Sequence, residues 1–258
     1  MTDAFRLAFG TLTVLPVRPP RVLDRRTAGR AMALAPLVGL VLGLLCVALM
    51  AATASGPPLL RASLCVGLLA LLTRGMHLDG LADTADGLGS GQAPQEALDL
   101  MRRGDVGPFG VVALVLVLLL QVSALDSLVS REHASAALVA SLVTSRAALP
   151  LLCSRIFPAA RPNGLGSAVA GTVGRGALFC AALLTLACLT GAGFGYAYPA
   201  VPRSVIAALA VAVVVALVSA ALLGWHCVHR LGGITGDVLG AGVEVTFTVC
   251  LVVLTLTG

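Results

Sequence analysis

Residues Gly110–Leu128 read GVVALVLVLLLQVSALDSL. A helix needs about 20 mostly apolar residues to cross the hydrocarbon core of a bilayer, and this run has that length and character. Outward from it lie six further runs of the same kind: Ala31–Ala54, Leu59–Arg74, Ala134–Cys153, Gly176–Tyr196, Ser204–Trp225 and Val238–Thr257. Leu59–Arg74 is short and begins beside Arg61. Pro and Gly interrupt the chain between runs, at Pro57-Pro58, Pro158, Pro162, Pro199 and Pro202, as expected of breaks between helices. The expected fold is all-α: a polytopic membrane helix bundle of about seven transmembrane helices (six to eight), forming one integral membrane domain over residues 1–258.

Composition points the same way. The chain is 58% hydrophobic and 11% charged, where a soluble domain carries about 25% charged residues. Lys is absent, which a base-composition bias of the genome explains. The net charge of +5 suits a membrane protein with basic inner loops. Nucleic acid is not an expected partner, because the arginines are scattered between spans without interleaved aromatics. The seven cysteines lie mostly in apolar runs and form no CxxC pair, so they read as small buried hydrophobes. The start, MTDAFRLAFGTLTVLP, lacks the order of a signal peptide. It reads as an amphipathic helix on the membrane surface, touching it through Phe5, Leu7, Phe9 and Leu12.

Arginine asymmetry sets the orientation. With the N-terminus in the cytoplasm, thirteen arginines fall on the inner side and three (Arg61, Arg131 and Arg203) on the outer, with Arg146 inside a span. The long polar segments then all face inward: Gly75–Phe109, Ser154–Arg175 and His226–Asp237. Residues 1–30 are an inner or interfacial N-terminal segment, and 75–109 a cytoplasmic acidic segment where chemistry is expected.

That segment holds HLDGLADTADGL, His77–Leu88. Asp79, Asp83 and Asp86 have the spacing i, i+4, i+7 and share one helix face. Six of the chain's twelve acids lie between Asp79 and Asp105. Three close carboxylates repel one another unless a proton, an Arg or a cation neutralises them. Mg2+ prefers oxygen ligands and is usually held by one or two carboxylates plus substrate phosphates, so the triad is a candidate Mg2+–phosphate site. The plainer reading is a solvated acidic helix end, against which stands the cost of acids beside a membrane. His77 precedes Asp79 by two residues and points away from the acid face on an ideal helix. It is a candidate general base or an interfacial hydrogen bonder.

Three other clusters accompany it. In EALDLMRRGDVGPFG, Arg102 and Arg103 can grip phosphate oxygens, or Arg103 can pair internally with Glu96 and Asp99. In ARPNGLGSAVAGTVGRG, Arg161 and Arg175 flank a glycine-rich loop that is either a phosphate cradle or simply flexible. In HRLGGITGDVLGAGVE, Asp237 is either the N-cap of the last span or a fourth carboxylate of the site. Arg146 and Glu244 lie within spans and are expected to pair.

RGMHLDGLADTADGLGSG (Arg74–Gly91), MRRGDVGPFGVVALVLVLLLQ (Met101–Gln121), SRAALPLLC with ARPNGLGS, and HRLGGITGDVLGA (His229–Ala241) resemble the cobalamin synthase family. LTVLPV and PLVGLVLG extend the likeness over nearly the whole chain. The resemblance implies a Mg2+-dependent, multi-pass enzyme of the bacterial inner membrane, late in cobalamin assembly. It implies adenosylcobinamide-GDP and α-ribazole (or α-ribazole 5′-phosphate) as substrates, the lipid bilayer as surroundings and other membrane-associated enzymes of the pathway as partners. On that reading Asp79, Asp83 and Asp86 hold the metal, one of them or His77 takes a proton, and Arg102, Arg103, Asp105, Arg161 and Asp237 bind substrate phosphates. One motif departs: many relatives read MKDSRxGxxG where this chain has MRRGDVGPFG. Arg103 stands at the usual acid and Asp105 at the usual base, so a salt bridge between them would survive the swap but a metal-ligand role would not.

Two rivals remain. CDP-alcohol phosphotransferases also space aspartates at a bundle's end, but their DGxxAR and later GxxxDxxxD are not matched here. A transporter calls for charges deep in several spans and an internal repeat, and the sequence shows only Arg146 and Glu244 and no repeat.

Overall fold

The structure, a computed structural model, describes residues 2–131, 133–194 and 203–257. All regular elements among them are helices: α1 (Thr2–Leu12), α2 (Arg25–Ala33), α3 (Ala35–Ala52), α4 (Pro58–Leu72), α5 (Met76–Gly89), α6 (Pro94–Leu100), α7 (Pro108–Val129), α8 (Ala134–Leu152), α9 (Leu165–Val169), α10 (Arg175–Phe194), α11 (Arg203–Leu231) and α12 (Gly236–Thr257).

Each expected span falls on one of these helices. Five of them, α3, α7, α8, α11 and α12, are long and apolar enough to cross a bilayer, which makes the chain a multi-pass membrane protein. The pair α4 and α5 passes only together, and the two are bent by 88°. With 14 residues, His77 and three aspartates, α5 is too short and too polar to be a span by itself, and we treat it as lying outside the spans. In α10 the described apolar stretch, Arg175–Thr190, is shorter than a full span. The expected end of that run at Tyr196, and the breaks at Pro199 and Pro202, lie outside the described residues.

Two boundaries move, and one helix face meets a different surface. The first span starts at Ala35 and not Ala31, because the chain turns at Leu34 after α2, whose N-terminus is capped by Asp24 accepting from Thr27 N–H at 2.7 Å. α11 continues past Trp225 to Leu231. The N-terminal helix forms as expected, but Phe9 and Leu12 are buried in the protein core and only Phe5 of the four expected contacts is clearly exposed. Its apolar face is therefore mostly a packing surface for α2 and α3 and not a membrane contact.

The centre of the bundle is α8 and α12, which are mostly buried, whereas α7 and α11 are mostly exposed. Small residues let the helices approach, as they do where lipid supplies no hydrophobic drive for association. Gly39 and Gly43 of α3 lie one turn apart against α8. A side chain at Gly39 would collide with the Leu142 carbonyl, and one at Gly43 would stand 3.0 Å from Val139 Cα. On α11, Ala208, Ala212, Ala216 and Ala220 form a buried stripe at four-residue spacing.

The two ends of the bundle differ. At one end arginines reach carbonyls near helix C-termini, where a cation is favoured: Arg61 to Met50 O at 3.1 Å and Arg131 to Thr255 O at 3.1 Å. At the other end, α1, α2, α5, α6 and α9 fold over the bundle. Arg25 donates to the carbonyls of Ser167 and Ala170, Arg74 to Gly10 O at 3.2 Å, and Arg230 to Gln92 O at 2.8 Å. All four polar clusters of the sequence meet at this end.

Candidate active site

α5 presents Asp79, Asp83 and Asp86 along one face, as their spacing predicts, but their surroundings separate their roles. Asp79 is exposed, Asp83 half-buried and Asp86 buried. Asp86 accepts the Gly107 N–H at 2.7 Å and the Gly110 N–H at 2.9 Å, one on each carboxylate oxygen. These are orphan donors of the first turn of α7, so Asp86 acts as its side-chain cap from another helix. A Cβ on Gly107 or Gly110 would strike the carboxylate. Both oxygens are thereby engaged by backbone.

Asp83 is left facing Asp237. Burial first, then the charges of Asp237, Asp79 and Asp86, push its carboxyl up to about 6, while Arg161 pulls it the other way. Asp237 is held at the start of α12. Thr235 supplies the cap: its hydroxyl accepts from Val238 N–H at 3.3 Å and donates to Asp237 Oδ2 at 3.0 Å. Of the two readings open for Asp237, the structure shows the carboxylate beside the other acids, with Thr235 capping. α5 and α12 cross closely enough for this because Gly80 sits on Asp237, where an added Cβ would stand 2.7 Å from its carbonyl.

Arg161 arrives from the loop after α8. Ala160 N–H donates to Ile234 O at 3.0 Å and Ile234 N–H to Pro158 O at 2.9 Å, a short parallel bridge that sets Arg161 beside Asp237. Its Nη2 donates to the Leu98 carbonyl of α6, while its buried Nε has no partner. Burial and Arg102 draw its pKa below the usual guanidinium range, against the carboxylates of Asp237, Asp99 and Asp83. Arg102, Arg103 and Asp105 are exposed on the turn after α6. Arg103 pairs with neither Asp105 nor Glu96 and Asp99: among the described residues the one ion pair is Arg6–Asp3, at 3.4 Å. The expected internal bridges are absent because that turn is open to solvent and nothing holds the side chains together.

Below the carboxylates lies a cavity of about 220 Å³. Asp79, Arg161, Asn163, Thr235 and Asp237 contribute its polar lining, and Leu12, Met32, Leu149, Leu165, Ile234 and Leu239 its apolar lining. His77 also lines it, at 2% exposure, with neither ring nitrogen hydrogen-bonded. Asn163 and Thr235 were not singled out in the sequence, though both lie in polar clusters that were. Leu12 and Met32 carried no signal, since nothing in a helical pattern says which neighbour its apolar face meets.

The expected Arg146–Glu244 pair is not an ion pair. Glu244 accepts from Gln121 Nε2 at 2.8 Å, and Arg146 donates to Ser145 Oγ at 2.8 Å. Gln121 shares a small void with both, so amide and hydroxyl partners stand where direct contact was expected.

Chemically, the end of the bundle offers hard oxygen donors (Asp79, Asp83 and Asp237), one half-buried cation with a free N–H, and an apolar chamber beneath. Among the described residues no three of His, Cys, Asp and Glu come together as a closed metal centre. No solved structure matches the chain. Among curated proteins, those named adenosylcobinamide-GDP ribazoletransferase are similar over almost their full length. The one from Frankia casuarinae is 44% identical, covering 98% of this chain and 94% of its own. That from Nocardioides sp. is 42% identical over 97% of each, and that from Stutzerimonas stutzeri 38% over 97% and 96%. The profile of the cobalamin-5-phosphate synthase family matches residues 4–255, all twelve helices but their outermost ends, and the chain belongs to that family.

Proposed function

We propose that the chain is an adenosylcobinamide-GDP ribazoletransferase, acting at the cytoplasmic face of a bacterial inner membrane. The observation that carries this reading is the meeting of Asp79, Asp83, Asp237 and Arg161 over a chamber at one end of the bundle, in a chain of this family. The arginine asymmetry supports the cytoplasmic side. Association with other membrane-bound enzymes of the pathway is part of the same proposal and rests on the resemblance alone.

The reaction is a substitution at phosphorus. A ribose hydroxyl that is free both in α-ribazole and in its 5′-phosphate attacks the phosphorus bonded to the corrinoid side chain. The bond from that phosphorus to the bridging oxygen breaks, and GMP leaves with the electron pair. Such a transfer needs positioning and charge neutralisation more than covalent help.

Mg2+ fits the residues as a cation completed by substrate. The carboxylates of Asp79, Asp83 and Asp237 are the hard donors that ion prefers, and their mutual repulsion is what a cation relieves. They do not form a closed three-ligand centre, and Asp86 is spent on α7. When bound, Mg2+ would neutralise charge on the pyrophosphate. Arg161, tethered by Nη2 and with Nε free, holds a phosphate oxygen. The hydroxyl proton passes to a carboxylate of the group, of which Asp79 is the most open to solvent.

Release of GMP from adenosylcobinamide-GDP plus α-ribazole, measured on the purified chain in detergent with and without Mg2+, tests the reading. Turnover is expected only with the metal. Wild-type turnover in Asp237→Asn would remove the site assignment, and no turnover under any condition would remove the function.

A further inference from the structure

The cavity has more in it than phosphate chemistry requires. Phosphates and a cation belong at its mouth, with Asp79, Asp237 and Arg161. Its inner wall is built by Leu12, Met32, Leu149 and Leu239, from four different helices. Into this wall is set the imidazole of His77, almost wholly buried and with both nitrogens unpartnered. Buried polar groups are nearly always hydrogen-bonded, and each exception calls for an explanation. A ligand that completes the bond is the explanation the cavity offers.

We propose that this chamber seats the heteroaromatic base of the acceptor nucleoside, with His77 donating from one ring nitrogen to an unprotonated ring nitrogen of that base. This rests on the function proposed above and adds where the acceptor binds and what selects it. Size agrees: a cavity of about 150 Å³ takes a single six-membered ring, and about 220 Å³ leaves room for a fused bicycle. Polarity agrees as well. A base with one free ring nitrogen and an apolar edge is satisfied by one imidazole and aliphatic walls. With the base inside, the ribose hydroxyls face the mouth, where Asp79 and Asp237 stand.

The test uses the full chain in detergent with Mg2+. KM for α-ribazole and KM for adenosylcobinamide-GDP are measured separately in wild type, His77→Leu and His77→Gln. Loss of one hydrogen bond is expected to raise the α-ribazole KM by about tenfold in His77→Leu, with the donor KM unchanged and His77→Gln restoring part of the loss. An acceptor analogue with its free ring nitrogen replaced by CH should lose a similar factor on wild type and nothing further on His77→Leu. Equal loss of the analogue on both proteins, or a rise in the donor KM instead, overturns the proposal. Equilibrium dialysis of α-ribazole alone, with GDP as competitor, separates the two readings. His77-dependent binding that GDP does not displace supports the chamber assignment even if no GMP is released. Turnover with binding indifferent to His77 removes this assignment and leaves the proposed function standing. If His77→Leu does not fold, the analogue's loss on wild type together with His77→Gln decides.

Discussion

At the scale of residues, three aspartates that look alike in sequence do different work. Asp86 is a cap, so Asp86→Ala is expected to destabilise the chain by about 2–3 kcal/mol, read as a lower unfolding temperature in detergent. A pure metal-ligand role would leave that temperature unchanged. Asp83 and Asp237 are expected to be functional: Asp83→Asn should lower GMP release about 100-fold or more while the chain stays folded. Asp83 also carries a signature in pH. Its folded pKa of about 6 lies above the usual value of 3.8, so the folded state holds the proton more tightly. Stability from this group is fully present below pH 3.8 and is lost as pH rises through 6. Without Mg2+, Asp83→Asn should therefore melt higher than wild type at pH 7.5, with the difference vanishing near pH 4. The i, i+4, i+7 face was legible from spacing. The diversion of Asp86 was not, since its partners Gly107 and Gly110 lie 21 and 24 residues away and a backbone N–H has no sequence signature.

At the scale of elements, the site is assembled by helix crossings that small residues permit. α3 meets α8 at Gly39 and Gly43, and α5 meets α12 at Gly80 and Gly240, where Gly240 sits against the His77 backbone. Gly39→Leu would force α3 off α8, at a cost of about 1–3 kcal/mol or more. Gly67→Leu, with nothing within 4 Å of an added Cβ, serves as the control and should melt as wild type does. The helices themselves followed from apolar run length. Their limits did so less well, because Leu34 turns the chain inside a continuous apolar pattern and α11 runs on through residues that read as polar. α1 shows the same limit: its amphipathic pattern predicts a helix, but the identity of the surface it meets is a tertiary fact.

At the scale of the whole molecule, the bundle has one plain end and one functional end, and the proposed orientation puts the functional end in the cytoplasm. Ser55→Cys and Gln92→Cys, exposed at opposite ends, test it in a Cys180→Ser background, Cys180 being the exposed native cysteine among the described residues. A membrane-impermeant maleimide added to intact cells should label position 55 and spare position 92, and the reverse pattern would invert the assignment. The sequence by itself determined that the chain is a multi-pass helical membrane protein, since burial in lipid demands long apolar runs whatever their neighbours. It also determined that three carboxylates share one helix face, a consequence of local periodicity. Only the tertiary structure decided which of them are free, that Asp237 and Arg161 join them, and that His77 ends unpartnered in a chamber walled by α1, α2, α8 and α12. Those outcomes depend on residues 77, 161 and 237 lining one cavity, though they lie far apart in the chain and are brought together by crossings that no local pattern encodes.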